Sequence, residues 1–138
     1  MHREILFRGK RIDNGEWVYG FYVREEGVKG DGFHSISHTI ITKREPFRLY
    51  QDRVYADTIG QYTGMTDKGK NKMFEGDLYR SDSGYIFEVV YLESEACFVG
   101  VPVKEPKSWV FLEDIADMER VGNKWDNPEL LGTPWGSL

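Results

Sequence analysis

Gly64-Met65-Thr66-Asp67-Lys68-Gly69-Lys70-Asn71 spells G-x-x-x-x-G-K and then Asn, one residue short of a phosphate-cradling loop. Such a loop works when a buried strand delivers a glycine-rich turn into a helix N-terminus, where amides and the helix dipole converge on the phosphates. Here Asn71-Lys72-Met73-Phe74-Glu75-Gly76-Asp77 follows, with no helix-starting pattern and a second Gly turn. Asn71 stands where a magnesium-binding hydroxyl belongs, and no hydrophobic strand ending in Asp follows at a suitable distance. The stretch therefore reads as a lysine-studded hairpin loop turning at Asp67-Lys68-Gly69.

The other residues capable of chemistry read similarly. His34 and His38 are four apart; on a strand rising ~3.3 Å per residue they lie ~13 Å apart, too far for one ion to bridge. They read as solvated, and His2 as mobile. Glu113, Asp114, Asp117 and Glu119 make an acidic cluster, but acid/base work needs a cleft that separates carboxylate pKa values. A solvated surface or short helical turn is the expectation. Asp77, after Gly76, reads as bonding its own turn. Cys97 is the only cysteine, so neither an intramolecular disulfide nor a thiolate zinc site can form; within Ala96-Cys97-Phe98-Val99 it reads as a buried small hydrophobe. No Ser-His-Asp or Cys-His order stands out, and no cofactor or metal site is expected.

The elements that must position these residues are strands. The 138 residues suit one domain, rich in Gly and aromatics and poor in Ala, the composition of short strands and tight turns. Asp13-Asn14-Gly15 is the strongest hairpin signal, after a strand from Ile5-Leu6-Phe7 towards Ile12. The return strand, Glu16 to Val23, places Trp17, Tyr19 and Phe21 on one face. Glu25 to Gly32 reads as a Gly-rich connector and His34 to Thr42 as a strand; residues 47–57 are undecided between a short helix and an irregular edge. Ile59 to Thr63, Phe74 to Arg80, Tyr85 to Leu92, Cys97 to Val103, Trp109 to Leu112 and Met118 to Val121 read as further strands, with a turn at Asp82-Ser83-Gly84. The fold class is mainly β with little helix: a β-hairpin region over 1–58 packed on a small SH3-like barrel over 59–131, then a flexible tail over 132–138, in one compact unit.

The net charge of −5 is uneven: residues 1–74 hold 13 Lys/Arg against 10 Asp/Glu, residues 75–138 hold 5 against 13. Basic Lys43, Arg44, Arg48, Arg53, Lys68, Lys70 and Lys72, interleaved with Tyr50, Tyr55 and Tyr62, could track single-stranded nucleic acid. Ordinary decoration of a soluble edge is the simpler account, and the acidic total argues against broad nucleic-acid binding. The N-terminus lacks the apolar core of a signal peptide and no apolar run reaches membrane-spanning length, so a cytoplasmic setting without membrane contact is the expectation.

Ile5-Leu6-Phe7-Arg8-Gly9-Lys10 with Gly15-Glu16-Trp17-Val18-Tyr19-Gly20 resembles the opening of the YopX family of phage and prophage proteins. Thr58 to Lys68 followed by Phe74-Glu75-Gly76-Asp77 is similar to that family's central signature, and Val121-Gly122-Asn123 with Asp126-Asn127-Pro128-Glu129-Leu130-Leu131 to its end. The resemblance implies a β-rich, SH3-type fold and a temperate-phage or prophage origin in a bacterial cytoplasm; it implies no reaction. The expected role is a non-enzymatic binding or assembly module. Its partner, a protein or a second copy, would meet the 65–72 loop with Lys68, Lys70 and Lys72, or the face near Tyr79, Tyr85 and Trp109. The alternatives are a single-stranded nucleic-acid-binding accessory protein and an enzyme with a site between subunits.

Overall fold

The computed structural model describes residues 3–28 and 30–132. His2 and, beyond Gly132, the expected flexible tail lie outside the described residues. The fold is mainly β, and every strand pairing is antiparallel. The chain divides into two compact units, Met1–Gln61 and Tyr62–Leu138.

In the first unit β1 (Phe7–Lys10), β2 (Trp17–Val28), β3 (His34–Arg44) and β4 (Arg48–Arg53) form a meander, and β1 also pairs with the first residues of β5 (Gly60–Thr66). The Asn-Gly turn joins β1 to β2, with Gly15 at φ 72°. Trp17, Tyr19 and Phe21 share a face by alternation, but Tyr19 and Phe21 are exposed while Val18 and Gly20 between them point inward. Gly20 is required: a Cβ there would stand 2.1 Å from the Ile41 carbonyl oxygen. Val18, Ile40 and Val54 form the core, flanked by Phe7, Tyr22 and Ile59; burying each such side chain contributes about 1.5–3 kcal/mol.

Two expectations need correction here, and one open segment resolves. The supposed connector from Glu25 is strand as far as Val28, because its backbone pairs with β3 down to Val28 opposite His34; ladder hydrogen bonds override the local Gly content. Residues 47–57 split into β4 and a 3₁₀ turn at Ala56–Thr58. His38 is half-buried rather than solvated, with its Nδ1 2.6 Å from the Tyr22 hydroxyl and the two rings stacked, whereas His34 is exposed.

The second unit holds the rest of β5, then β6 (Lys72–Phe74), β7 (Asp77–Arg80), β8 (Ile86–Leu92), β9 (Cys97–Pro102), β10 (Val110–Phe111), the five-residue helix α1 (Leu112–Ala116) and β11 (Glu119–Asn123). Its five-stranded sheet runs β10-β9-β8-β7-β11. Among the described residues no sheet closes into a barrel: β10 and β11 remain hydrogen-bonding edges, so the expected SH3-type closure is not seen. Met73, Tyr79, Val89, Leu112 and Ile115 make the core, and Met65, Phe87, Phe98 and Met118 pack around it. The acidic cluster lies in and beside α1, whose Leu112 and Ile115 are buried while Glu113, Asp114, Asp117 and Glu119 are exposed. Cys97 is exposed, contrary to expectation, because it opens β9 just after left-handed Ala96, before the strand reaches buried Val99.

Candidate functional site

The 65–72 loop is a closed hydrogen-bonding system. β5 and β6 pair at Tyr62 with Phe74 and at Thr66 with Lys72, and Asp67 sits between them, 6% exposed. Its Oδ1 accepts the amides of Gly69 and Asn71, both at 2.9 Å; its backbone carbonyl accepts the Lys70 amide, also at 2.9 Å. The Lys68 amide donates to the Ala116 carbonyl at 2.9 Å. All four amides from Lys68 to Asn71 are thus committed inside the protein. A phosphate would have to displace Asp67 to reach the last three, and the Ala116 carbonyl to reach the first, and strand β6 rather than a helix follows.

Asp67 Oδ2 accepts a 2.8 Å hydrogen bond from the Tyr79 hydroxyl. Burial alone would raise the Asp67 carboxyl, but donation by the Asn71 amide, the Tyr79 hydroxyl and the Gly69 amide outweighs it and holds the group below the ordinary carboxylate value. Burial, then the bond to Asp67 and the negative charge of Asp77, push the Tyr79 hydroxyl far above its ordinary value. Neither group is poised to exchange protons near neutrality. Asp77, fully buried, accepts the Phe74 amide at 2.8 Å and Arg120 Nη2 at 3.2 Å. Tyr62 and Phe74 are buried against each other, ring centroids 5.6 Å apart.

The C-terminal signature residues lock onto the same turn. Asn123 Oδ1 accepts the amides of Trp125 and Asp126 at 3.0 and 2.9 Å, and the Lys124 amide donates to the Gly76 carbonyl at 2.9 Å. The Trp125 ring then covers Gly76, whose φ is 90° and where a Cβ would stand 2.2 Å from a ring carbon.

Of the expected partner-contacting residues, Lys68, Lys70 and Lys72 are exposed on the loop. Lys72 Nζ lies 5.5 Å from the Tyr62 ring centroid, and Lys70 has the left-handed φ of 65°. Tyr79 is corrected: it is fully buried, because β7 lies between β8 and β11 and Asp77, Leu78 and Tyr79 are covered in succession rather than alternately. Tyr85 is 61% exposed and lines a groove of about 550 Å³ with Arg80, Ser83, Lys104, Glu129 and Leu131. Trp109 stands outside that groove, edge-on to Phe111 with centroids 5.4 Å apart. The groove was not foreseen, since its walls come from a turn, the residues after β9 and the 3₁₀ turn Pro128–Leu131, which no local sequence pattern brings together.

Among the described residues no group of three or more His, Cys, Asp or Glu side chains is placed to hold a metal ion, and no helix is long and apolar enough to cross a membrane. No curated protein matches the chain. The YopX protein family matches over residues 6–132, from β1 through the Asp67 and Gly76 turns to the end of the 3₁₀ turn. The chain belongs to the YopX protein family.

Proposed function

We propose that this protein is a non-enzymatic binding or assembly module, working in the cytoplasm of bacteria that carry a phage or prophage. One observation carries the reading: the polar groups of the central signature are consumed in building turns, while large aromatics such as Tyr85 and Trp109 stay exposed just ahead of β8 and β10. Rigid β scaffolds with exposed aromatics and unpaired edges recognise partners through those edges and loops. We also read the second unit as an SH3-type barrel in its order of elements: four meandering strands, a short helix, and a last strand returning to the first.

Capture from lysogenic or infected cells tests the reading. Wild-type protein should retain a defined partner or further copies of itself, and Tyr85→Ala with Trp109→Ala should lower that retention. A strict monomer in light scattering that retains nothing would overturn it.

A second reading, single-stranded nucleic-acid binding, is favoured by the exposure of Lys68, Lys70 and Lys72 around a loop whose own carboxylate, Asp67, is turned inward. Anisotropy of labelled oligonucleotides should then fall steeply with salt and with charge reversal of the three lysines. Absent or salt-insensitive binding removes this reading.

A further inference from the structure

Residues 75–138 carry thirteen Asp/Glu and only five Lys/Arg. In so acidic a stretch a cation readily finds a carboxylate. Two do: Arg120 Nη2 lies 3.2 Å from Asp77 Oδ1, and Lys124 Nζ lies 3.4 Å from Glu88 Oε2. Arg80, Lys104 and Lys107 form no ion pair among the described residues. These three are not scattered. Arg80 and Lys104 line the groove beside Tyr85, and Lys107 shares a neighbouring hollow with Lys104.

Strand pairing builds the groove. Arg80 ends β7 opposite Ile86, which opens β8, and the Val103 amide donates to the Ile86 carbonyl at 2.9 Å. Arg80, Ile86 and Val103 therefore form a row on one face at one end of the sheet. Leu130 and Leu131 line the groove from the 3₁₀ turn. Tyr85 is held by its own turn: its carbonyl accepts the Ser81 amide at 2.9 Å, and its amide donates to Ser81 Oγ at 3.1 Å. The groove has one carboxylate of its own, Glu129, which lies 3.5 Å from Asn127 Nδ2. Glu119 faces Arg80 across the β7–β11 ladder, without an ion pair between them among the described residues.

We propose that this groove takes a short acidic peptide of a partner protein, with carboxylates on Arg80 and Lys104 and an aliphatic side chain against Ile86, Val103 and the two leucines. This rests on reading the protein as a binding module and names the chemistry of its partner. The groove's volume of about 550 Å³ falls within the ~300–1,000 Å³ of ligand pockets. A guanidinium grips a carboxylate through two parallel N–H bonds, and an ammonium supplies a point charge. Ile86, Val103, Leu130 and Leu131 are half-buried, and covering the rest of their surface with an aliphatic side chain is favourable. A nucleic-acid strand fits less well. It brings a negative charge at every nucleotide to a unit rich in carboxylates, and bases to a groove whose one aromatic ring among the described residues is Tyr85.

The test uses the full chain and a labelled peptide alternating aspartate and leucine, followed by anisotropy and by the amide spectrum of the ¹⁵N-labelled protein. Binding should saturate below about 1 mM and move the signals of Gly84, Tyr85, Lys104 and Leu131. Arg80→Glu with Lys104→Glu should weaken it at least ~tenfold, and charge reversal of Lys68, Lys70 and Lys72 should leave it unchanged. Arg80 and Lys104 are exposed, so the double variant should melt like the wild type, which separates lost binding from lost folding. Asparagine for aspartate in the peptide, or serine for leucine, should each weaken binding at least ~tenfold. Absent saturation, equal binding of either substituted peptide, or signals that move only elsewhere would overturn the proposal. A short oligothymidylate that binds more tightly through the same two cations would do so too. If the charge-reversed protein still captures from cells what the wild type captures, only this inference falls; if wild-type capture is empty, the binding reading falls with it.

Discussion

The Tyr79 hydroxyl, on β7, donates a 2.8 Å hydrogen bond to Asp67 Oδ2 across the β5–β6 loop, with both residues buried. The same carboxylate orders the Gly69 and Asn71 amides through its other oxygen. One side chain thus fixes the loop and joins it to the core.

Breaking this link should be costly in an ordered way. Tyr79→Phe removes one charge-assisted hydrogen bond and should lower stability by about 1.5–3 kcal/mol. Asp67→Ala orphans two loop amides and a buried hydroxyl, and should cost more, about 3–5 kcal/mol. Urea denaturation of the two single variants and the double variant checks this, the double costing less than the sum because the residues share one interaction.

The pH dependence follows from the same pair. The folded Asp67 value is depressed, so its stabilisation is present above about pH 4, the unfolded value, and is lost as pH falls through the lower folded value. The folded Tyr79 value is raised, so its stabilisation is complete below about pH 10 and declines as pH rises beyond it. Asp67→Asn should flatten the acid limb of a stability–pH profile and Tyr79→Phe the alkaline limb.

Two glycines with similar backbone angles should respond differently to alanine. Gly15 has φ 72° and open space around it, so Gly15→Ala pays only for the left-handed backbone, about 1 kcal/mol. Gly76 has φ 90° under the Trp125 ring, so Gly76→Ala adds a clash and should cost about 2–4 kcal/mol. Thermal unfolding of both variants, with near-ultraviolet circular dichroism reporting the displaced Trp125, separates strain from collision.

Lys68, Lys70 and Lys72 are exposed, and the loop is held by its backbone and by Asp67. Replacing all three with Ala should change stability by less than about 1 kcal/mol. A larger loss in denaturant unfolding would mean that the lysines themselves hold the loop.

The fold was largely legible where turn chemistry is local. Asn14-Gly15, Asp67 to Gly69 and Gly76-Asp77 all turn as their side chains require. Reading failed where pairing or coverage is set at a distance. β2 runs to Val28 because β3 lies beside it, Tyr79 is buried because β7 is flanked on both sides, and Cys97 is exposed because β9 begins beyond the core. The candidate loop could be dismissed as a phosphate site from the residues after Lys70. The reason its amides are occupied, Asp67 joined to Tyr79 twelve residues on, lies in the tertiary structure alone.

The most direct measurement is the amide spectrum of the ¹⁵N-labelled protein titrated with magnesium-ATP and with inorganic phosphate. The signals of Gly69, Lys70 and Asn71 should stay in place through millimolar ligand, because Asp67 already holds those amides. Saturable displacement of those three signals would contradict the account and return the loop to phosphate binding.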